Sequence, residues 1–382
     1  MMHYRTLGKT GLQVSEIGFG GEWLGAHSDE ECMTLFRMCE SAGINIVDCW
    51  MPDPAIRRKI GLGIHAHRDR WIVQGHFGSL WKNGQYERSR DLAGVKVAFQ
   101  DLLTLLQTDY IDLGMIHYVD EVKEFEYILS SDYLKYIHEQ KAAGVIRHIG
   151  MSTHNPVIGK LAVRHGLVEM ILFSINPAFD LLPPGKASVD SVTDDMVAGG
   201  CKTNPEREEF YRLCAQENVG LTVMKTYAGG RLFDIHRSPF GVALTPVQCI
   251  HYALTRPAVA SVLTGFETPE QLREALHYCD ADESEKDFAS ILSKARGRAY
   301  GGQCTYCGHC LPCPRHIDIA MVNKLYDLAV MHEAAPDSIR EHYRNLSVHA
   351  DECIQCHACE KRCPFGVKIA DRMLKAQELF RR

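Results

Sequence analysis

Eight of the chain's fifteen cysteines fall into two runs near its end. The first is Cys304-x2-Cys307-x2-Cys310-x2-Cys313-Pro314, and the second is Cys353-x2-Cys356-x2-Cys359-x3-Cys363-Pro364. Thiolate runs of this spacing wrap pairs of 4Fe–4S clusters, the fourth cysteine of each run serving the other cluster. Cys304, Cys307 and Cys310 would then share one cluster with Cys363, and Cys353, Cys356 and Cys359 another with Cys313. Such clusters pass electrons singly, so one-electron chemistry is the first expectation. Zinc is the competing reading, because paired Cys-x2-Cys motifs also hold a tetrahedral ion. One ion needs only four thiolates, and a triple x2 repeat closed by Cys-Pro, twice over, fits it poorly. The last gap of the first run is x2 where the second has x3, which tightens the turn before Cys313 without removing a ligand.

The other seven cysteines (Cys32, Cys39, Cys49, Cys201, Cys214, Cys249 and Cys279) stand singly in apolar or helical contexts. Lone cysteines of this kind act as small buried hydrophobes. Free thiols beside oxidisable clusters belong in a reducing compartment, so a cytoplasmic protein of a cell living with little oxygen is expected. Net charge is −6 with both signs scattered, and no basic face argues for nucleic acid. The longest apolar stretches, such as Met170-Ile-Leu-Phe, fall far short of the ~20 residues of a membrane span. The opening Met1-Met2-His3-Tyr4-Arg5 lacks the apolar core of a secretory signal.

These cysteines follow a long, regular segment. Strand-like runs near 18–20 and at 45–50, 71–77, 110–118, 146–152, 170–176, 220–224 and 259–265 alternate with helical patterns such as 29–41, 89–106, 124–143 and 206–216. Such alternation implies right-handed βαβ units and a parallel sheet. Eight repeats over about 280 residues is the size of a (β/α)8 TIM barrel. A doubly wound sheet is the runner-up, weakened because no Gly-x-Gly-x-x-Gly opens the first unit. The expected division is a barrel at 1–285, a helical linker at 286–300 and a small ferredoxin-like domain at 301–382. In the last, helical segments at 317–328 and 337–345 separate the two cysteine runs. A Pro/Gly-rich loop at 179–205 is expected as an excursion over the active face, a candidate lid.

The segment Tyr4-Arg-Thr-Leu-Gly-Lys-Thr-Gly-Leu-Gln-Val-Ser-Glu-Ile-Gly-Phe-Gly-Gly21 resembles the N-terminal signature of the aldo/keto reductases, and the resemblance runs to about residue 280. With the cysteine tail, the whole chain resembles that family's ferredoxin-containing branch. The resemblance implies a (β/α)8 barrel, an extended nicotinamide dinucleotide (usually NADPH) over the C-terminal strand ends, and an Asp, Tyr, Lys, His tetrad. Asn45-Ile-Val-Asp48 carries the Asp, and Asp109-Tyr-Ile-Asp-Leu-Gly-Met-Ile-His117 carries the His. Asp53 stands where the Tyr would fall. In Gly75-His76-Phe77-Gly78, His76 replaces the Lys. The resemblance gives the nicotinamide carboxamide to Ser152 and Thr153, with Leu172 in place of a Gln and Met224-Lys225 near the stacking aromatic. Gly229, Gly230, Gly265 and Arg273 match the segments that cradle the phosphates. In Thr268-Pro-Glu-Gln-Leu-Arg273, Thr268 is equally a helix N-cap followed by Pro269.

Three functions follow. The first is an oxidoreductase of aldo/keto reductase type acting on a small organic substrate. Its electrons are exchanged through two 4Fe–4S clusters, and its protons come from Asp48, His76 and His117. NADP(H) delivers two electrons and a cluster accepts one, a mismatch a flavin normally bridges, and no flavin motif is legible. A ferredoxin or similar carrier is then the expected electron partner. The second is a metal-dependent lyase or hydrolase with an ion on Asp48, His76 and His117, and His154 one strand further. The third is an electron-transfer subunit whose barrel is a docking scaffold.

Overall fold

Residues 1–193, 196–197, 203–293, 302–332 and 334–381 are described by the computed structural model. They form two units. One comprises Met1–Ser191, Asn204–Gly230 and Thr245–Lys286, and the other Val192–Thr203, Arg231–Leu244 and Asp287–Arg382.

In the first unit the strands are β1 (Tyr4–Thr6), β2 (Gln13–Ser15), β3 (Ile17–Gly20), β4 (Ile46–Cys49), β5 (Ile72–Phe77) and β6 (Ser79–Lys82). There follow β7 (Gln85–Arg88), β8 (Ile111–Ile116), β9 (Ile146–Thr153), β10 (Met170–Ser174), β11 (Gly220–Met224) and β12 (Val259–Thr264). Eight of them close a barrel in the order β10-β11-β12-β3-β4-β5-β8-β9, paired in parallel throughout. This is the expected (β/α)8 barrel, and every strand-like run contributes one stave. The antiparallel β1–β2 pair precedes it and adds Leu7 and Val14 to the barrel's apolar cluster.

Alternation along the staves separates core from chemistry. Side chains two residues apart share a face. Ile46, Ile72, Leu113, Met115, Met170 and Leu172 fill the barrel's apolar floor. One step further toward the C-terminal ends, the same faces carry Asp48 on β4, Gln74 and His76 on β5, and His117 after β8. Burial of the apolar residues therefore fixes the register that aims the polar ones. The surrounding helices start on local signals. Asp53-Pro54, Asn155-Pro156, Asn204-Pro205, Thr245-Pro246 and Thr268-Pro269 each place a capping side chain before a proline in the first turn.

The described part of the 179–205 segment begins pinned. Asp180 is fully buried and accepts hydrogen bonds from the Tyr211 and Tyr252 hydroxyls. The Gly199-Gly200 pair and Cys201 lie outside the described residues. Of the expected linker at 286–300, the described portion contains the helix Phe288–Leu292, and residues 294–300 lie outside. In the second unit the helices Ile319–Ala329 and Asp337–Arg344 separate the two cysteine runs. Arg372, on the helix Ile369–Phe380, hydrogen-bonds Asn323 at 2.8 Å and Asp327 at 2.5 Å. Among the described residues no helix is long and apolar enough to cross a membrane.

Candidate active site

Asp48, His76 and His117 stand in line. Asp48 Oδ1 lies 2.9 Å from His76 Nε2, and His76 Nδ1 lies 2.8 Å from His117 Nδ1. All three are buried, at 5 %, 2 % and 5 % exposure. Behind Asp48, the Gln74 amide donates to the same Oδ1 at 2.9 Å, and its carbonyl accepts from the Thr222 hydroxyl at 2.9 Å. That second bond fixes which end of the Gln74 amide faces the carboxylate.

The line continues to a residue that no sequence motif pointed to. The Tyr86 hydroxyl lies 2.8 Å from His117 Nε2. Tyr86 sits on β7 of the β6–β7 hairpin, which turns at Asn83-Gly84 with φ of 52° and 75°. An Asn-Gly pair between strands is the strongest short-range hairpin signal, so the element was legible. Its approach to His117, 31 residues away, was not. Thus Asp53 stands at the position matching the family's Tyr, yet a phenol reaches the site from another element.

With Asp48 as a carboxylate and both rings neutral, one set of tautomers satisfies every partner, and it is assigned from the hydrogen bonds. His76 donates from Nε2 to Asp48, so its Nδ1 accepts from His117 Nδ1–H. His117 Nε2 is then left to accept from Tyr86. Burial first, then the repulsion a second protonated ring at His76 would add and the positive charges of Arg90 and Arg88, holds the His117 pKa well below that of an ordinary imidazole. His117 is therefore neutral at neutral pH, as the chain requires. Burial raises the Tyr86 pKa, with Arg88 and Arg90 opposing, so the phenol keeps its proton.

The rings are held from both sides. Trp50 stacks on His117 at 5.9 Å and meets Tyr86 edge-on at 5.6 Å. Around the rest of the mouth, Asp120 accepts from the Thr153 hydroxyl at 2.9 Å and pairs with His154 Nδ1 at 3.0 Å. Burial works to raise the Asp120 pKa, but these bonds outweigh it and hold it below the usual carboxylate range. Ser152 Oγ accepts from the Tyr118 amide at 2.8 Å. Lys225 has a left-handed φ of 58°, and its ammonium makes no hydrogen bond among the described residues. Burial lowers its pKa, with Asp120 and Glu22 opposing.

Other expected positions lie apart from this line. Asp53 caps the helix Pro54–Ile64, accepting from the Ala55 amide at 2.7 Å. Gly229 and Gly230 adopt positive φ. Gly265 lies beside Trp23, whose indole would stand 3.2 Å from an added Cβ. Arg273 is exposed and bonds Glu270 at 3.0 Å. Among the described residues, no three His, Cys, Asp or Glu side chains gather round a single-ion position. The nitrogens of His76 and His117 face each other across a proton's distance.

In the second unit, Cys304, Cys307, Cys310 and Cys363 line one pocket. Cys313, Cys353, Cys356 and Cys359 line another. Each set takes three thiols from one run and one from the other, the crossover expected from spacing. The remaining walls are largely apolar, with Phe365, Val367 and Ile369 at the first and Ile317, Ile319, Ile354 and Met373 at the second. Two sets of four thiols, each sharing one cysteine with the other run, suit a pair of 4Fe–4S clusters.

The sequence profile of the aldo/keto reductase family matches residues 16–243, and that of a 4Fe-4S dicluster domain matches residues 303–368. The uncharacterized oxidoreductase YqkF of Bacillus subtilis is 27% identical over 318 residues, covering 78% of this chain and 98% of its own. The holo structure of aldo-keto reductase AKR11C1 from Bacillus halodurans superposes with a TM-score of 0.59 at 21% identity, covering 78% of this chain and 98% of its own. An aldo/keto reductase from Klebsiella pneumoniae in complex with NADP and acetate does so at 0.50 and 16% identity, covering 74% and 91%. A parallel eight-stranded barrel, a match over most of its length and a cysteine-rich tail lead to one conclusion: this chain belongs to the aldo/keto reductase family, as an oxidoreductase with a C-terminal 4Fe-4S dicluster domain.

Proposed function

We propose that this protein reduces or oxidises a small carbonyl or related substrate in the barrel. In this reading its electrons come one at a time from ferredoxin or a similar carrier. Protons move along Asp48, His76 and His117. The observation that carries the reading is the linear hydrogen-bonded chain, whose two links measure 2.9 and 2.8 Å. Lysine in place of His76 would offer only donors, whereas an imidazole takes a proton at one nitrogen and releases one at the other. The lysine-to-histidine exchange thus turns an electrostatic partner into a proton conductor.

Cys304, Cys307, Cys310 and Cys363 would hold one 4Fe–4S cluster, and Cys313, Cys353, Cys356 and Cys359 the other, supported by the two four-thiol cavities. When bound, the clusters supply one-electron transfer. The positions expected to hold NADP(H) divide. Gly229, Gly230 and Arg273 suit phosphates. At the nicotinamide end the Thr153 hydroxyl donates to Asp120, Ser152 is engaged by Tyr118 and Leu172 belongs to the apolar floor. These positions present no amide side chain to a carboxamide, and the reading routes no step through nicotinamide.

The test uses anaerobic protein with reconstituted clusters, reduced methyl viologen as donor and an activated diketone, 9,10-phenanthrenequinone, as acceptor. Turnover that falls at least 100-fold in His76→Ala, with cluster EPR unchanged, is the expected result. Cluster reduction without diketone turnover would leave the barrel a docking scaffold.

A further inference from the structure

We propose that Tyr86 is the catalytic acid–base group that meets the substrate oxygen, the exposed end of a proton relay running Tyr86, His117, His76, Asp48. This rests on the function proposed above and assigns its terminal residue.

In these tautomers every donor in the chain points the same way. Tyr86 O–H points to His117 Nε2, His117 Nδ1–H to His76 Nδ1, and His76 Nε2–H to Asp48 Oδ1, at 2.8, 2.8 and 2.9 Å. A line of this polarity can accept a proton only at its Tyr86 end and store it only at Asp48. When a substrate hydroxyl gives its proton to Tyr86 oxygen, the phenol proton passes to His117 Nε2. The Nδ1 proton passes to His76, and the Nε2 proton to Asp48. Each O–H or N–H bond broken is replaced by one formed, and the net change is one proton moved from substrate to carboxylate. Run backwards, the line protonates a carbonyl oxygen as it gains charge. No electron changes hands in this step.

Exposure is confined to the outer end of the line, as this requires. Tyr86 is 37 % exposed, whereas His117, His76 and Asp48 are 5 % or less. The hairpin that carries the phenol is fixed at both ends. At its start, the Ser79 hydroxyl donates to the Trp50 carbonyl at 2.6 Å, and the buried Arg57 donates to the Ser79 carbonyl at 3.3 Å. At its end, Arg88 donates to the Tyr118 carbonyl at 2.9 Å and Arg90 to the His117 carbonyl at 2.5 Å. Both arginines also pair with Glu124, at 3.5 and 3.0 Å. The hairpin is thus tied to the backbone of the histidine that its tyrosine bonds. Positioning within fractions of an ångström is what a proton donor needs and a surface tyrosine does not.

The diketone assay is repeated with Tyr86→Phe, which keeps the ring against Trp50, and with 3,5-difluorotyrosine incorporated at position 86. Expected is a kcat at least 100-fold lower in Tyr86→Phe, with KM within about twofold. The fluorinated protein should move the alkaline limb of the kcat–pH profile to lower pH, which a structural tyrosine would not do. Wild-type turnover with Tyr86→Phe fully active, or a limb unmoved by fluorination, overturns the assignment and leaves the function standing. A wild type that carries reducible clusters and does not turn over the diketone overturns the function and the assignment together.

Discussion

A buried carboxylate joined to two imidazoles asks of each side chain a particular proton state. Asp48→Asn removes the charge that orders the chain and the place where its proton rests. The expected result is a kcat about 100-fold lower or worse with near-native thermal stability, measured with the diketone assay and circular dichroism. Gln74→Leu is different in kind, because it leaves His76 bonded to Asp48 and strands the buried Thr222 hydroxyl. It should cost ~1–3 kcal/mol of stability by urea unfolding and a smaller share of activity. The family resemblance made Asp48, His76 and His117 visible, because Asp48 and His117 match members of its tetrad and His76 stands in place of a third. Tyr86 was hidden for a physical reason. The bond to His117 joins residues through the closure of the barrel and a hairpin, and neither is encoded near Tyr86 in the chain.

The barrel's staves and caps were readable from local physics: β-branched runs, alternating faces and a polar residue before proline. The β6–β7 hairpin carries its signal in Asn83-Gly84, and its base depends on Gly78, which has φ of 90°. A Cβ there would stand 2.7 Å from the Ser89 carbonyl and 2.4 Å from Arg90 Nη1. Gly78→Ala should therefore displace the hairpin and cost ~1–3 kcal/mol. It should also lower diketone turnover, while cluster EPR stays native. Asp53→Ala tests the other reading of a residue aligned with a catalytic position. As an N-cap, its loss should cost about 1 kcal/mol in urea unfolding. A collapse of turnover without that loss of stability would return Asp53 to the chemistry.

Acid stability draws on buried groups from separate elements of the barrel unit. Burial, reinforced by Lys286, Arg5 and Arg256, depresses the His251 pKa from 6.5 to about 4. Burial opposes ionisation of Glu169, but hydrogen bonds from His148, Lys141 and the Ile149 amide outweigh it and lower its pKa from 4.5 to about 2. In both cases the unfolded chain binds more protons, so stability is lost as the pH is lowered. His251 contributes between pH 6.5 and about 4, and Glu169 between 4.5 and about 2. His251→Gln should flatten the upper part of the Tm–pH curve and leave the lower part. In the tail, Cys363→Ser opens the cavity it shares with Cys304, Cys307 and Cys310. Iron content should fall by about half, with one reduced-cluster EPR signal retained.

The proton relay is the centre of this account, and nitrogen-15 NMR of histidine-labelled protein tests it without a substrate. Between pH 6 and 8, values bracketing the ordinary imidazole pKa of about 6.5, the His117 ring should be neutral. His76 should carry its proton on Nε2 and His117 on Nδ1, with His117 Nε2 bare and shifted by a hydrogen bond that Tyr86→Phe abolishes. A cationic His117, a proton on His117 Nε2, or a His76 Nε2 without its proton would contradict the relay.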